Sequence, residues 1–296
     1  MQSLYRGLFV PIMTPFTPDN RVAVEELKRH IAWLLDAPVD GIIPNGSTGE
    51  CSLLDHDERK LVCETAVSFV NHRVPVFGGA SADATAEAIE LARMTERAGA
   101  DGVMVMPPYY SKISMAGAFE HFKAIAESIS IPLMIYNNPA RAMIDLSVEC
   151  IAELAKIKNI RYLKESAGAV NRIHKIARLT GGSMALFSGF DTLALEAYAS
   201  GSTGWVASSA NVVPAECHRV TELALKGDFA AARKEYYKVL PVLEAIEESG
   251  HLVQAIKYLL NSMGKNTGKA RMPLADMDEK LKQSLTRAFQ QLQACK

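Results

Sequence analysis

Short apolar segments rich in β-branched and aromatic residues recur at 7–13, 41–44, 74–78, 102–106, 131–136, 160–164, 184–188 and 204–207, and each is followed by a segment whose apolar residues repeat at helical spacing. This alternation constrains the fold more than any other feature. A strand that rejoins its sheet after a helical crossover runs parallel to its predecessor, so the chain is committed to an α/β architecture. Eight units at nearly even spacing predict closure into a (β/α)8 TIM barrel, with an open doubly wound sheet as the alternative. At 296 residues the chain could hold two domains of ~150 residues, but a single barrel of ~250 fits equally well.

Local signals place some helix ends. Asp55 with Glu58 makes a capping-box pattern ahead of Leu61 and Val62, and Asp83 with Thr85 precedes the apolar positions Ala88, Ile89 and Ala92. Gly99 is then placed to close that helix. Past residue 225 the strand pattern stops, and 229–247, 251–263 and 277–292 read as three amphipathic helices. The expected organisation is a barrel over residues 1–225 with a C-terminal three-helix extension over 226–296. No Ser/Gly/Pro-rich linker separates them, so the extension is expected to pack on the barrel or form subunit contacts.

Composition narrows the function classes. With 32 basic and 33 acidic side chains the net charge is -1, so no summed field draws nucleic acid or an anionic membrane. No apolar run reaches the ~18 residues of a membrane span, and the start Met-Gln-Ser-Leu-Tyr-Arg has neither part of a secretory signal. The five cysteines (Cys51, Cys63, Cys150, Cys217, Cys295) are odd in number and lack a C-x-x-C pair, which predicts packed thiols in a reducing, cytoplasmic compartment. The seven histidines (His30, His56, His72, His121, His174, His218, His251) show neither H-x-H nor H-E-x-x-H spacing, so no metal site is expected.

In such a barrel the reactive side chains come from the C-terminal strand ends and the loops that follow. Here those ends read Pro44-Asn45-Gly46-Ser47-Thr48-Gly49-Glu50, Pro107-Pro108-Tyr109-Tyr110, Tyr136-Asn137-Asn138-Pro139-Ala140-Arg141, Leu163-Lys164-Glu165-Ser166, Ser188-Gly189-Phe190-Asp191 and Ser208-Ser209-Ala210-Asn211. Lys164 is the most informative. At a strand end near the apolar interior, desolvation disfavours its ammonium and favours the amine, the nucleophile that condenses with a ketone. The alternative is a lysine that snorkels to solvent or pairs with Glu165. Tyr136 ends the neighbouring strand, where period-2 alternation can aim both side chains into the barrel mouth and let the phenol relay protons; otherwise it is an interface tyrosine with a satisfied hydroxyl. The Gly46–Gly49 turn offers backbone N–H groups suited to a carboxylate, although a plain connecting turn would read the same. It lacks the spacing of a nucleotide loop. Arg141 could clamp a second carboxylate through its guanidinium fork, or be a solvated loop residue.

Taken together, these segments resemble the dihydrodipicolinate synthase and N-acetylneuraminate lyase family, most specifically at Gly46-Ser47-Thr48-Gly49-Glu50, Tyr136-Asn137-Asn138-Pro139 and Lys164-Glu165, and over nearly the whole chain. The resemblance implies a class I pyruvate aldolase on a (β/α)8 barrel with a helical C-terminal region. It implies that Lys164 forms the Schiff base, Tyr136 shuttles protons, and Ser47 and Thr48 hold the 2-oxo acid carboxylate, with Gly189, Asp191, Val206 and Ser208 completing the substrate site. It further implies a homotetramer of tight dimers in which Tyr110 crosses an interface to complete a relay with Thr48 and Tyr136.

The branch is mixed. Arg141 matches the position that grips aspartate semialdehyde in the synthases, and Tyr109-Tyr110 has the synthase pattern. Ser47, Gly189, Asp191 and Ser208 are nearer the sugar-acid lyases, and Phe190 and Trp205 depart from the synthase pattern. His56, Glu87 and Tyr109 correspond to the lysine-binding pocket of feedback-inhibited synthases, with Asp83 in place of the usual asparagine.

The expected chemistry is imine formation at Lys164 and proton transfer at C3, giving an enamine that adds to an aldehyde or is released by C–C cleavage; no cofactor is required. Small-molecule 2-oxo acids and aldehydes are the expected partners. The alternatives are a retro-aldolase, dehydratase or deaminase of a sugar- or hydroxyproline-derived 2-oxo acid, and a non-catalytic barrel that only binds one. An open-sheet nucleotide enzyme would need G-x-G-x-x-G after the first strand, and residues 7–16 lack it.

Overall fold

The computed structural model describes residues 4–294. Eight strands, β1 (Gly7–Pro11), β2 (Gly41–Ile43), β3 (Phe77–Gly79), β4 (Gly102–Val105), β5 (Leu133–Asn137), β6 (Ile160–Glu165), β7 (Ala185–Ser188) and β8 (Gly204–Val206), form one parallel sheet in the order β2-β1-β8-β7-β6-β5-β4-β3. The barrel closes through a parallel bridge between Ile42 and Val76, supported by the Ile42 N–H donating to the Pro75 carbonyl at 3.0 Å. The open-sheet alternative is thereby overturned. β3 begins three residues later than its apolar run suggests because Pro75 has no N–H and Val76 pairs only through that bridge.

Alternation along the strands divides the core. Phe9, Ile43, Phe77, Met104, Met134, Tyr136, Tyr162, Phe187 and Val206 fill the barrel interior. Its aromatic rings pack edge-to-face, with Phe9 5.1 Å from Phe187 and Phe77 5.1 Å from Tyr162. Such pairs contribute ~0.5–1.5 kcal/mol each beyond their burial. Three of these rings fit because the paired residue on the next strand is glycine: Phe9 lies beside Gly41, Phe77 beside Gly102 and Phe187 beside Gly204. The result is a plugged floor with functional groups confined to the C-terminal rim.

The connecting helices are α1 (Val24–Asp36), α2 (His56–Val70), α3 (Thr85–Arg97), α4 (Met115–Glu127), α5 (Val148–Leu154), α6 (Asn171–Thr180), α7 (Ala194–Ala199) and α8 (Pro214–Leu225). α2 starts with the expected capping box: Asp55 accepts from the Glu58 N–H, and Glu58 accepts from the Asp55 N–H. α3 ends as expected before Gly99, whose φ is +86°. Its start differs, since Ala84 is the N-cap and Asp83 is drawn away to the rim.

Three further helices, α9 (Phe229–Glu247), α10 (Leu252–Ser262) and α11 (Glu279–Ala294), complete the described chain. Their buried faces (Ala232, Tyr236, Val239, Leu243, Ile256, Leu260, Leu285) share one apolar cluster with Leu8, Ile31, Trp205 and Val220 of the barrel. No helix of the described residues is long and apolar enough to cross a membrane. Cys63, Cys150 and Cys217 are buried free thiols and Cys51 is half-buried; Cys295 lies outside the described residues.

Candidate active site

The pairing of β5 with β6 decides which side chains meet. Tyr136 lies opposite Lys164, and Asn137 lies opposite Glu165. Because side chains alternate, one pair faces into the barrel and the other faces out. Lys164 is 5% exposed, and its Nζ sits 4.0 Å from the centroid of the Tyr136 ring. Glu165, the alternative partner for Lys164, points the other way. It accepts from Asn137 Nδ2 at 2.9 Å, the Ala167 N–H at 2.8 Å and Arg172 Nε at 3.1 Å. Burial pushes this carboxyl above its ordinary value despite Arg172. Asn137 also donates to Asp145 and accepts from the Leu146 N–H, so the outward pair stitches both loops to the barrel wall.

The Tyr136 hydroxyl accepts from Asn138 Nδ2 at 2.7 Å. Burial alone would raise this phenol; the charge of Lys164, the Asn138 donor and the charge of Arg141 outweigh it, and the group titrates below the ordinary phenol value. A phenol tuned downward surrenders and recovers a proton more readily near neutrality.

Gly189 follows β7 and lies against the Lys164 stem. A Cβ there would stand 1.8 Å from Ser166 Oγ and 3.0 Å from both Cγ and Cε of Lys164. Only hydrogen fits. Beneath it, Phe187 is registered with Lys164, and Val206 is fully buried in the interior cluster.

Across the mouth, the β2 loop makes two 3-10 turns, Ser47–Gly49 and Cys51–Leu53. Asn45 at φ +56° and Glu50 at φ +59° flank the first in the left-handed region. The Gly46 carbonyl accepts from the Gly49 and Cys51 N–H groups, and Thr14 Oγ1 donates to the Gly49 carbonyl at 2.7 Å. The Ser47 and Thr48 amides open the turn, so neither has an intrahelical acceptor. Thr48 is 2% exposed and its hydroxyl is 3.0 Å from Ser208 Oγ, which brings the β2 and β8 loops together.

Asp191 is 2% exposed, and both its oxygens are engaged. It accepts from Trp205 Nε1 at 3.0 Å, the Ser208 N–H at 3.2 Å and the Ser209 N–H at 2.8 Å. Burial raises its carboxyl above the ordinary range, opposed by the Ser209 and Trp205 donors and the charge of Lys164. The carboxylate therefore organises the rim that carries Ser208.

Arg141 is exposed; among the described residues no ion-pair partner faces its guanidinium, and its charge reaches Tyr136 and Cys51. Tyr110 is 84% exposed. Its N–H and that of Tyr109 both donate to Asp83 Oδ1 at 2.9 Å, which explains why Asp83 does not cap α3. One chain thus gathers Lys164, Tyr136 and Gly189, and joins Thr48, Ser208 and Asp191. It does not bring Tyr110 to Thr48 or Tyr136.

Several supporting residues were not anticipated. Asn138 holds the phenol, Asn45 Nδ2 donates to the Arg59 carbonyl at 2.7 Å, and Glu247 of α9 accepts from the Asp191 and Thr192 N–H groups at 2.9 Å each. Glu50 is ion-paired with Lys257 of α10 at 2.6 Å. One signal was available: Lys257 interrupts the apolar stripe Val253, Ile256 and Leu260, and a charge in such a stripe needs a buried partner.

The profile of the dihydrodipicolinate synthetase family matches residues 4–292. A 4-hydroxy-tetrahydrodipicolinate synthase from Rhizobium meliloti is 39% identical over 273 residues, covering 92% of each chain. The 4-hydroxy-tetrahydrodipicolinate synthase of Methylacidiphilum fumariolicum superposes with a TM-score of 0.95 at 29% identity, covering 98% of this chain and 97% of that one. A chloride-inhibited dihydrodipicolinate synthase from Acinetobacter baumannii, solved with pyruvate, gives a TM-score of 0.94 at 31% identity, covering 98% and 99%.

Proposed function

The chain belongs to the dihydrodipicolinate synthetase family, and on that premise we propose that it is a Schiff-base-forming lyase that condenses pyruvate with aspartate semialdehyde. Lys164 Nζ attacks the ketone carbon of pyruvate, and the carbinolamine loses water to give an imine. The Tyr136 phenolate removes a C3 proton, and the electron pair moves toward the iminium to form the enamine. The enamine carbon adds to the aldehyde carbon, whose oxygen takes the proton back from the phenol; the amino group of the former aspartate semialdehyde then attacks C2 of the imine, closing a ring as the bond to Lys164 breaks and the free amine is returned. The protonated imine is the electron sink, so this route uses no cofactor.

Ser47 and Thr48 hold the pyruvate carboxylate through their amides and hydroxyls, while Ser208 and Val206 bound the methyl side and Gly189 leaves the amine room to bend. Asp191 fixes the Ser208 amide. Arg141, exposed and near Tyr136 in charge, grips the carboxylate of the incoming aldehyde. Residues 1–225 form the catalytic unit and 226–296 the region packed on it. The working assembly is a homotetramer in the cytoplasm, built from tight dimers in which Tyr110, 84% exposed on one chain, joins Thr48 and Tyr136 of a neighbour.

The observation that carries the reading is the Lys164 amine 4.0 Å over the Tyr136 ring at paired strand ends. Incubation with pyruvate and borohydride, followed by peptide mass spectrometry, tests it. A reduced pyruvate adduct on Lys164 supports the reading, and a label elsewhere, or none, rejects it.

A further inference from the structure

Glu50 ends the turn that begins at Ser47, two positions past Thr48, and it holds φ +59° with only 2% of its surface exposed. A non-glycine residue in the left-handed region needs its surroundings to keep it there. The anchor comes from the C-terminal helices. Lys257 Nζ lies 2.6 Å from Glu50 Oε1, donates to the Lys269 carbonyl at 3.1 Å, and stands 4.1 Å over the Phe16 ring. Glu50 Oε2 accepts from the Arg271 N–H at 2.8 Å.

The Arg271 guanidinium also lies over the Phe16 ring, at 4.1 Å, pairs with Glu58 at 2.5 Å and donates to the Leu53 carbonyl at 2.9 Å. One fully buried ion pair and one partly exposed pair, both beside one aromatic ring, therefore tie the β2 loop and the start of α2 to α10 and the segment after it. Ordinary packing would not need a lysine 2% exposed, whose burial depresses its ammonium. Its charge is retained opposite the one carboxylate that follows the turn.

We propose that Lys257 is a positioning residue of the active site: by holding the Glu50 carboxylate it fixes the Ser47–Thr48 amides in the orientation that receives the pyruvate carboxylate. The inference rests on the proposed function, in that pyruvate is taken as the ligand of that turn. It differs from a staple that only adds stability, because it ties Lys257 to ligand affinity and leaves the bond-forming amine alone.

The test is the rate of borohydride trapping on Lys164 against pyruvate concentration, at a temperature where each protein is folded by circular dichroism. Two variants are used. Glu50→Asp keeps both charges but withdraws the carboxylate by one methylene; the double variant Lys257→Met with Glu50→Gln removes both charges, so no buried charge is left unpaired. The expected result for each is a rise in half-saturating pyruvate of about tenfold with the maximal trapping rate held within about threefold. If either folded variant saturates at the wild-type concentration, or loses only maximal rate, the inference is overturned. Absence of trapping in the wild-type enzyme instead faults the functional reading.

Discussion

Gly189→Ala is the sharpest perturbation the site allows, because it adds one methyl group where three atoms already stand. The new carbon would lie 1.8 Å from Ser166 Oγ and 3.0 Å from Cγ and Cε of Lys164. The hydroxyl must retreat by about 1.6 Å to reach ordinary contact, and the lysine stem by several tenths of an ångström. Ser166 can rotate, although its N–H is held by the Asn137 carbonyl at 2.8 Å. The stem has less freedom, with Phe187 beneath and Tyr136 alongside. Overpacking of this kind costs about 1–3 kcal/mol, and at about 2–4 °C per kcal/mol the Tm should fall by about 2–12 °C. Displacing the amine by a fraction of an ångström should slow imine trapping about 10- to 100-fold. Thermal melts and borohydride trapping on the same preparations separate the two effects. Adding Ser166→Ala removes the 1.8 Å contact but leaves both Lys164 contacts, so Tm should recover while trapping stays slow. Trapping at the wild-type rate in Gly189→Ala would refute the claim that this glycine exists to seat the reactive stem.

Further perturbations act on other parts of the site and core. Tyr136→Phe keeps the ring under Nζ and removes the hydroxyl; it should leave pyruvate adducts detectable on Lys164 while condensation with aspartate semialdehyde falls about 10²–10⁴-fold, and a loss below tenfold in a coupled assay would contradict the proton-transfer role. Arg141→Ala should raise KM for aspartate semialdehyde at least tenfold while pyruvate trapping holds, and equal losses in both would argue against a contact with the second substrate. His30 is buried and its pKa is lowered by burial to about 4, below its ordinary 6.5. The unfolded chain therefore binds the extra proton between those values, and stability present above pH 6.5 is lost as the pH falls toward 4. The loss is about 3 kcal/mol at the acid end, and His30→Asn should flatten that part of a denaturation-versus-pH curve.

Much of the architecture was legible because it is written in short-range periodicity. The eight strands, the capping box of α2 and the three terminal helices each lie within a few residues of where the apolar pattern puts them, and the largest strand displacement, at β3, traces to Pro75. Lys164 and Tyr136 were legible for the same reason, since alternation along neighbouring parallel strands decides the facing side.

What escaped is the long-range polar support. Arg271 and Glu50 are 221 positions apart, and nothing local marks their bond. Asp83 reads as a helix-start residue until the chain closes and offers it two tyrosine amides in a neighbouring loop. Asp191 reads as a substrate ligand because it is acidic and at a strand end; its bonds to the Trp205 indole of β8 and to the Ser208 and Ser209 amides of the loop after β8 have no local signal.

The central claim is a covalent bond from Lys164 Nζ to C2 of pyruvate, with the carboxylate on the Ser47–Thr48 turn. Crystals soaked in pyruvate measure it directly. The account predicts continuous density from Nζ to the ligand carbon, the phenol of Tyr136 facing C3, and the carboxylate oxygens against the two amides; a free Nζ with pyruvate bound elsewhere, or a carboxylate turned away from the turn, would contradict it.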